Sequence, residues 1–152
     1  MQPNPVKAPE LYEQDFVQWI EAQSAAVREG RWSDVDAAHV AEELDSLGNS
    51  NRQQIGSRLR VLMAHLLKSE VQAGKKSRSW ELTILEQSAR IRGILESSPS
   101  LRRELTHAIH RQYRTARKRA SIETKLPLTA FPAEPTPEFE ARVLENIDAD
   151  PS

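Results

Sequence analysis

Ile55-Gly56-Ser57-Arg58-Leu59-Arg60-Val61-Leu62-Met63-Ala64-His65-Leu66-Leu67-Lys68 decides the fold, because six of the seven residues from Val61 to Leu67 are apolar. A helix this apolar around its circumference needs neighbours on several sides, since one wet face would leave Leu or Met in water. The stretch therefore predicts an internal rod sheathed by other helices. Reading back from it, Val40, Leu44, Leu47, Asn51, Ile55, Leu59, Leu62 and Leu66 keep one helical phase across Gly48. A single Gly costs only about 1 kcal/mol relative to Ala inside a helix. One long helix over 36–72 is expected, with a kink at Gly48-Asn49 as the alternative.

On the N-terminal side, after a Pro-rich leader, Tyr12, Phe16, Trp19, Ile20, Gln23 and Val27 recur at steps of three and four, which predicts a helix over 12–29 with an aromatic inner face. Gly30 is its expected stop. On the C-terminal side, the basic loop Gln72–Ser79 leads into Trp80, Ile84, Ser88, Ile91 and Leu95, a helix over 79–97. Ser98-Pro99 reads as N-cap and first helical residue of a helix over 99–123, whose inner side carries Leu101, Leu105, Ala108, Ile109, Gln112 and Ala116. Pro127, Pro132, Pro135 and Pro137 remove backbone donors and disfavour helix in the residues before them. Residues 124–136 are thus expected to lie extended, pinned by Leu126, Leu128 and Phe131. A short helix over 137–147 and an acidic tail end the chain. The fold class is all-α, a single domain built as a bundle of about four helices.

Composition narrows the chemistry. The absence of cysteine removes disulfides, thiolate metal sites and cysteine nucleophiles. The N-terminus lacks the apolar core of a signal peptide, and no segment reaches the roughly 18 apolar residues of a membrane span. A cytoplasmic location with no membrane partner is expected. The net charge of −1 conceals a segregation: residues 1–50 carry −7, residues 51–125 carry +11 and residues 126–152 carry −5.

Asp36-x-x-His39 and Glu104-x-x-His107 have the carboxylate-x-x-His spacing of di-metal helical bundles. Both histidines, however, fall away from the apolar stripes of their helices, so no metal site is expected and no cofactor is implied. Glu42, Glu43 and Asp45 form an acidic cluster that reads as a solvated helix face. His65 sits in the most apolar run, where a structural neutral imidazole is the simpler reading. Should the loop at 72–79 fold the next helix back, His65, Lys68, Arg78 and Trp80 would form a small cationic, aromatic-walled pocket. Arg103, His107, His110, Arg111, Arg114, Arg117 and Lys118 line the side opposite the core of the 99–123 helix, with no acidic residue between Glu104 and Glu123. Such a stripe can bind phosphate backbones or acidic partners, or be neutralised by the chain's own acidic ends.

The ordered set Tyr12-Glu-x-Asp15-Phe-x-x-Trp19, Glu42-Glu43-Leu44-Asp45-Ser46-Leu47-Gly48, His65-Leu-Leu-Lys68, Arg78-Ser79-Trp80 and Ser98-Pro99-Ser100-Leu101 resembles the bacterial domain-of-unknown-function family number 29 over nearly the whole chain. The resemblance implies a small all-helical fold and transfers no catalytic residues. The chain departs from the family pattern at His39 and at Val71-Gln72-Ala73. Among the motif residues, Glu43, His65, Lys68, Arg78 and Trp80 are the candidates for a ligand site. The expected function is a non-enzymatic helical interaction domain acting through charged faces, with a protein partner or a second copy of the chain. The alternatives are nucleic-acid association through the stripe 103–118, and an enzyme or small-ligand site near His65, Lys68 and Trp80.

Overall fold

The computed structural model describes residues 6–75 and 77–149. The start of the Pro-rich leader, Lys76 of the basic loop and the end of the acidic tail lie outside the described residues. Six α-helices follow in order: α1 (Ala8–Gln14), α2 (Phe16–Arg28), α3 (Ala37–Val71), α4 (Arg78–Ser97), α5 (Leu105–Thr124) and α6 (Pro137–Asp148), with no strand among the described residues. At 35 residues, α3 is about 52 Å long and runs through Gly48 unbroken. Where the sequence leads to a single domain, the residues group into two compact units, Met1–Ser50 and Asn51–Ser152.

In the first unit, the helix expected over 12–29 is broken at Asp15. That residue is extended, with φ −151° and ψ 92°, and its carboxylate accepts the Gln18 N–H at 3.0 Å. A side chain that satisfies an orphan N–H can start a new helix inside a run whose apolar spacing continues uninterrupted. Gly30, with φ 67°, closes α2 as its position implies. The turn into α3 is held by Gln23, which is buried: its amide donates to the Asp34 carbonyl at 3.3 Å and accepts the Asp36 N–H at 2.6 Å. The inner faces also need correcting. Trp19, Gln23 and Ala26 are buried, but Phe16, Ile20 and Val27 are exposed, as are Leu44 and Leu47. Hydrogen bonds and ring stacking have set the facing side of α3 here, so Asp36, His39 and Glu43 face α1 and α2 in place of the aliphatic stripe.

In the second unit, every residue from Leu62 to Ser69 is buried. The rod is enclosed by Ile84, Ile91 and Leu95 of α4, by Leu105, Ile109, Tyr113, Ala116 and Ala120 of α5, and by Phe139, Val143 and Ile147 of α6. Helix–helix approach is close at Gly56, where an added Cβ would lie 3.1 Å from the Gln112 amide nitrogen. The Ser77 side chain accepts the Trp80 N–H at 3.2 Å and starts α4 one residue before the expected position. Ser98 and Pro99 take the N-cap and first helical positions as expected, but the Ser98 side chain makes no capping bond and Pro99–Glu104 wind as a 3-10 helix ahead of α5. Thr136 does cap α6, accepting the Phe139 N–H at 3.1 Å.

The segment between α5 and α6 is not extended throughout, contrary to the expectation from its prolines: α5 runs to Thr124, and Leu128–Ala130 turn once as a 3-10 helix after Pro127, whose fixed φ is compatible with such a turn. The segment is tied down by polar bonds as well as apolar ones. Tyr113 Oη donates to the Pro132 carbonyl at 2.8 Å, and the Arg117 guanidinium donates to the carbonyls of Leu128 at 2.8 Å and Phe131 at 3.2 Å. Phe131 is buried and Leu126 packs against the core. Leu128 is 42% exposed and pins nothing through its side chain. Its carbonyl is what Arg117 holds.

Candidate functional site

The seven basic or histidine side chains expected along α5 divide in two. Arg117 is committed to the Leu128 and Phe131 carbonyls between α5 and α6, and His110 donates through Nε2 to Glu140 of α6 at 2.8 Å. Arg103, His107, Arg111, Arg114 and Lys118 are exposed, and none forms an ion pair or hydrogen bond among the described residues. Other arginines of the same unit are occupied: Arg52 with Glu104, Arg90 with Glu86, Arg102 with Asp148, Arg119 with Glu123 and Arg142 with Glu70. The described part of the acidic C-terminal segment engages Arg102 through Asp148 and His110 through Glu140, and no described carboxylate bonds to the other five side chains.

Three of the open side chains border a cleft of about 410 Å³ lined by Arg52, Ile55, Leu101, Arg103, Glu104, Leu105, His107, Ala108 and Arg111. Its floor is aliphatic because Ile55 of α3 meets Leu101, Leu105 and Ala108 there, all of them residues of the core. Its single carboxylate is already claimed. Arg52 grips Glu104 with two nitrogens, at 2.9 and 3.3 Å, and this bond, with burial acting against it and nearby Arg103 and Arg111 adding to it, holds the Glu104 carboxyl below the usual range. What the cleft offers is positive charge around an apolar base.

The candidates around His65 are brought together differently. Lys68, buried, donates to Glu123 Oε2 at 2.6 Å, and its Nζ lies 4.8 Å from the centre of the Trp80 ring. Such a contact over an indole face is attractive in itself. His65 donates through Nδ1 to the Val61 carbonyl at 2.9 Å, and burial pushes its pKa down. Arg78 is exposed at the start of α4. Glu43 belongs to the Met1–Ser50 unit, where its carboxylate accepts the Tyr12 hydroxyl at 2.5 Å.

That first unit contains a network the helical phases do not reveal. Asp36 Oδ2 accepts from Trp19 Nε1 at 3.1 Å and from His39 Nδ1 at 2.6 Å. Tyr12 stacks on the His39 ring, with centroids 3.9 Å apart and planes 16° from parallel. The Tyr12 phenol is pushed up to about 12, first by its bond to Glu43, then by desolvation and the surrounding carboxylates. The pair Asp36-x-x-His39 thus closes on itself, and Glu104 turns to Arg52 while His107 stays exposed. No group of three His, Asp or Glu among the described residues is arranged to hold a metal ion.

Sequence reading singled out Asp36 and Glu104 but missed their partners Trp19 and Arg52, and it missed Glu123 beside Lys68 and Tyr12 beside Glu43. The only local signal was the i, i+3 spacing of Asp36 and His39. No helix among the described residues is long and apolar enough to cross a membrane. Comparison with curated proteins and with solved structures finds no match. A family model described as "Domain of unknown function DUF29" matches residues 11–147. With its six helices and ordered motifs covered almost end to end by that match, the chain belongs to the DUF29 family.

Proposed function

We propose that the chain is a non-enzymatic interaction module whose working surface is the cationic face of α5, where an acidic protein partner docks. The observation that supports this is the set of five side chains, Arg103, His107, Arg111, Arg114 and Lys118, that form no ion pair or hydrogen bond among the described residues, in a unit where five other arginines each hold a carboxylate. Exposed like charges on one helix repel one another by a few tenths of a kcal/mol per i, i+4 pair, and a partner bearing carboxylates relieves that repulsion. An aliphatic floor beside the charge favours a protein, since protein interfaces combine an apolar centre with a polar rim. The reading places the module in the cytoplasm. A small-ligand site at His65, Lys68 and Trp80 has less support, because Lys68 is already bonded to Glu123 and covered by Trp80.

The test is fluorescence anisotropy with a labelled polyglutamate peptide at about 50 and about 300 mM salt, a range over which the screening length shortens markedly. Binding at low salt that is lost in the Arg103→Glu, Arg111→Glu double variant supports the reading. No binding at low salt ends it.

A second reading, nucleic-acid association, draws on one specific feature: no acidic residue interrupts α5 between Glu104 and Glu123. A gel-shift titration with duplex DNA distinguishes it, since four to five phosphate contacts give a log–log salt slope of about −4. A shift insensitive to salt would count against it.

A further inference from the structure

The cleft within the cationic face has a more specific occupant than charge alone requires. Ile55, Leu101, Leu105 and Ala108 form its floor. Arg103, from the 3-10 turn ahead of α5, and Arg111 of α5 border it, with His107 between them in the chain. We infer that this cleft is an anchor pocket for an acidic protein segment that inserts one large apolar side chain between flanking carboxylates. The inference rests on the reading of α5 as the docking face and adds what the partner must carry.

Three observations point to this occupant. The volume of about 410 Å³ falls near the lower end of the roughly 300–1,000 Å³ of ligand pockets, room for one ring or branched aliphatic group with its linker. Glu104 does not repel an incoming carboxylate, because Arg52 already holds its charge in a two-nitrogen grip. The floor contains no Phe, Tyr or Trp, so it lacks the aromatic platform on which single-stranded bases stack. An aliphatic base ringed by guanidinium groups matches a hydrophobic side chain among acidic neighbours. It matches a phosphate backbone less well, because that offers charge and no apolar group.

The experiment compares two fluorescein-labelled peptides of equal charge by anisotropy against the full chain at low salt. One carries Trp at the centre of a run of glutamates, and the other has Ala in its place. The Trp peptide is expected to bind about tenfold or more tightly, the gain from taking one large apolar side chain out of water. Ala108→Leu, which fills the floor, should erase that advantage, whereas Arg111→Gln should weaken both. Equal binding of the two peptides by the unaltered chain overturns the pocket and leaves the docking face standing. If neither peptide binds, the docking face itself falls. The peptide comparison needs no variant, so a failure of Ala108→Leu to fold does not shelter the inference.

Discussion

Replacing Glu123 by Gln is expected to cost the Asn51–Ser152 unit far more stability than replacing Lys68 by Met, although both changes break the same ion pair. The asymmetry comes from burial. The Lys68 side chain is 6% exposed and that of Glu123 is 34% exposed, with Nζ and Oε2 2.6 Å apart. Glu123→Gln leaves the Lys68 ammonium out of water and facing an uncharged amide, with Arg119, formerly 2.7 Å from Glu123, also deprived of its counter-charge. Removing one partner from a fully buried pair costs about 3–5 kcal/mol. Because water reaches the Glu123 carboxylate, screening reduces this to about 2 kcal/mol. With a urea m-value of roughly 2 kcal/mol per M, the midpoint falls by about 1 M.

Lys68→Met removes the buried charge and sets a thioether beside Trp80, a favourable contact. Glu123 keeps Arg119 and water, so the change should stay within about 1 kcal/mol of the unaltered chain. The pH dependence follows from the same pair. Burial raises the Glu123 carboxyl, but the hydrogen bonds from Lys68 and Arg119 outweigh it and leave the folded pKa lowered. The pair's contribution is therefore complete above the ordinary Glu pKa and lost as pH falls through the lowered value. Glu123→Gln should flatten that segment of the stability profile. Urea titrations followed by circular dichroism at several pH values read all of this. A Glu123→Gln midpoint indistinguishable from the parent's, or a Lys68→Met variant weaker than Glu123→Gln, would refute the reasoning.

Tyr12 should ionise near pH 12 in an absorbance titration of a Tyr113→Phe background, and Glu43→Gln, which removes the main cause, should bring it down toward 10; the stability its bond supplies is full below pH 10 and lost as pH rises through about 12. Arg117→Ala frees the carbonyls of Leu128 and Phe131 at a cost of about 1–2 kcal/mol, so limited proteolysis within 126–136 should accelerate, and an unchanged cleavage rate would show that the guanidinium is not the tether. Gly48→Ala places a methyl where nothing lies within 4 Å and should stabilise by up to about 1 kcal/mol, measured as a raised thermal midpoint; a loss of stability would mean that α3 does not run straight through this residue in solution.

The sequence alone determined the internal rod at 55–68, the helical character of the segments around it, the break in α-helix between α5 and α6 and the gathering of cations on one side of α5. All of these follow from spacing within one or two turns, where side-chain direction is set by the backbone itself. Only the tertiary structure decided which cation meets which carboxylate. Arg52 with Glu104 and Lys68 with Glu123 are 52 and 55 residues apart, and such pairings depend on how far one helix is slid and rotated along another, which no local period encodes. The same limit explains the cleft, whose floor joins α3 to the start of α5. It explains the first unit as well: there Asp36, His39 and Glu43 hydrogen-bond and stack with α1 and α2, and a few polar bonds outweighed an apolar stripe that spacing alone would have buried.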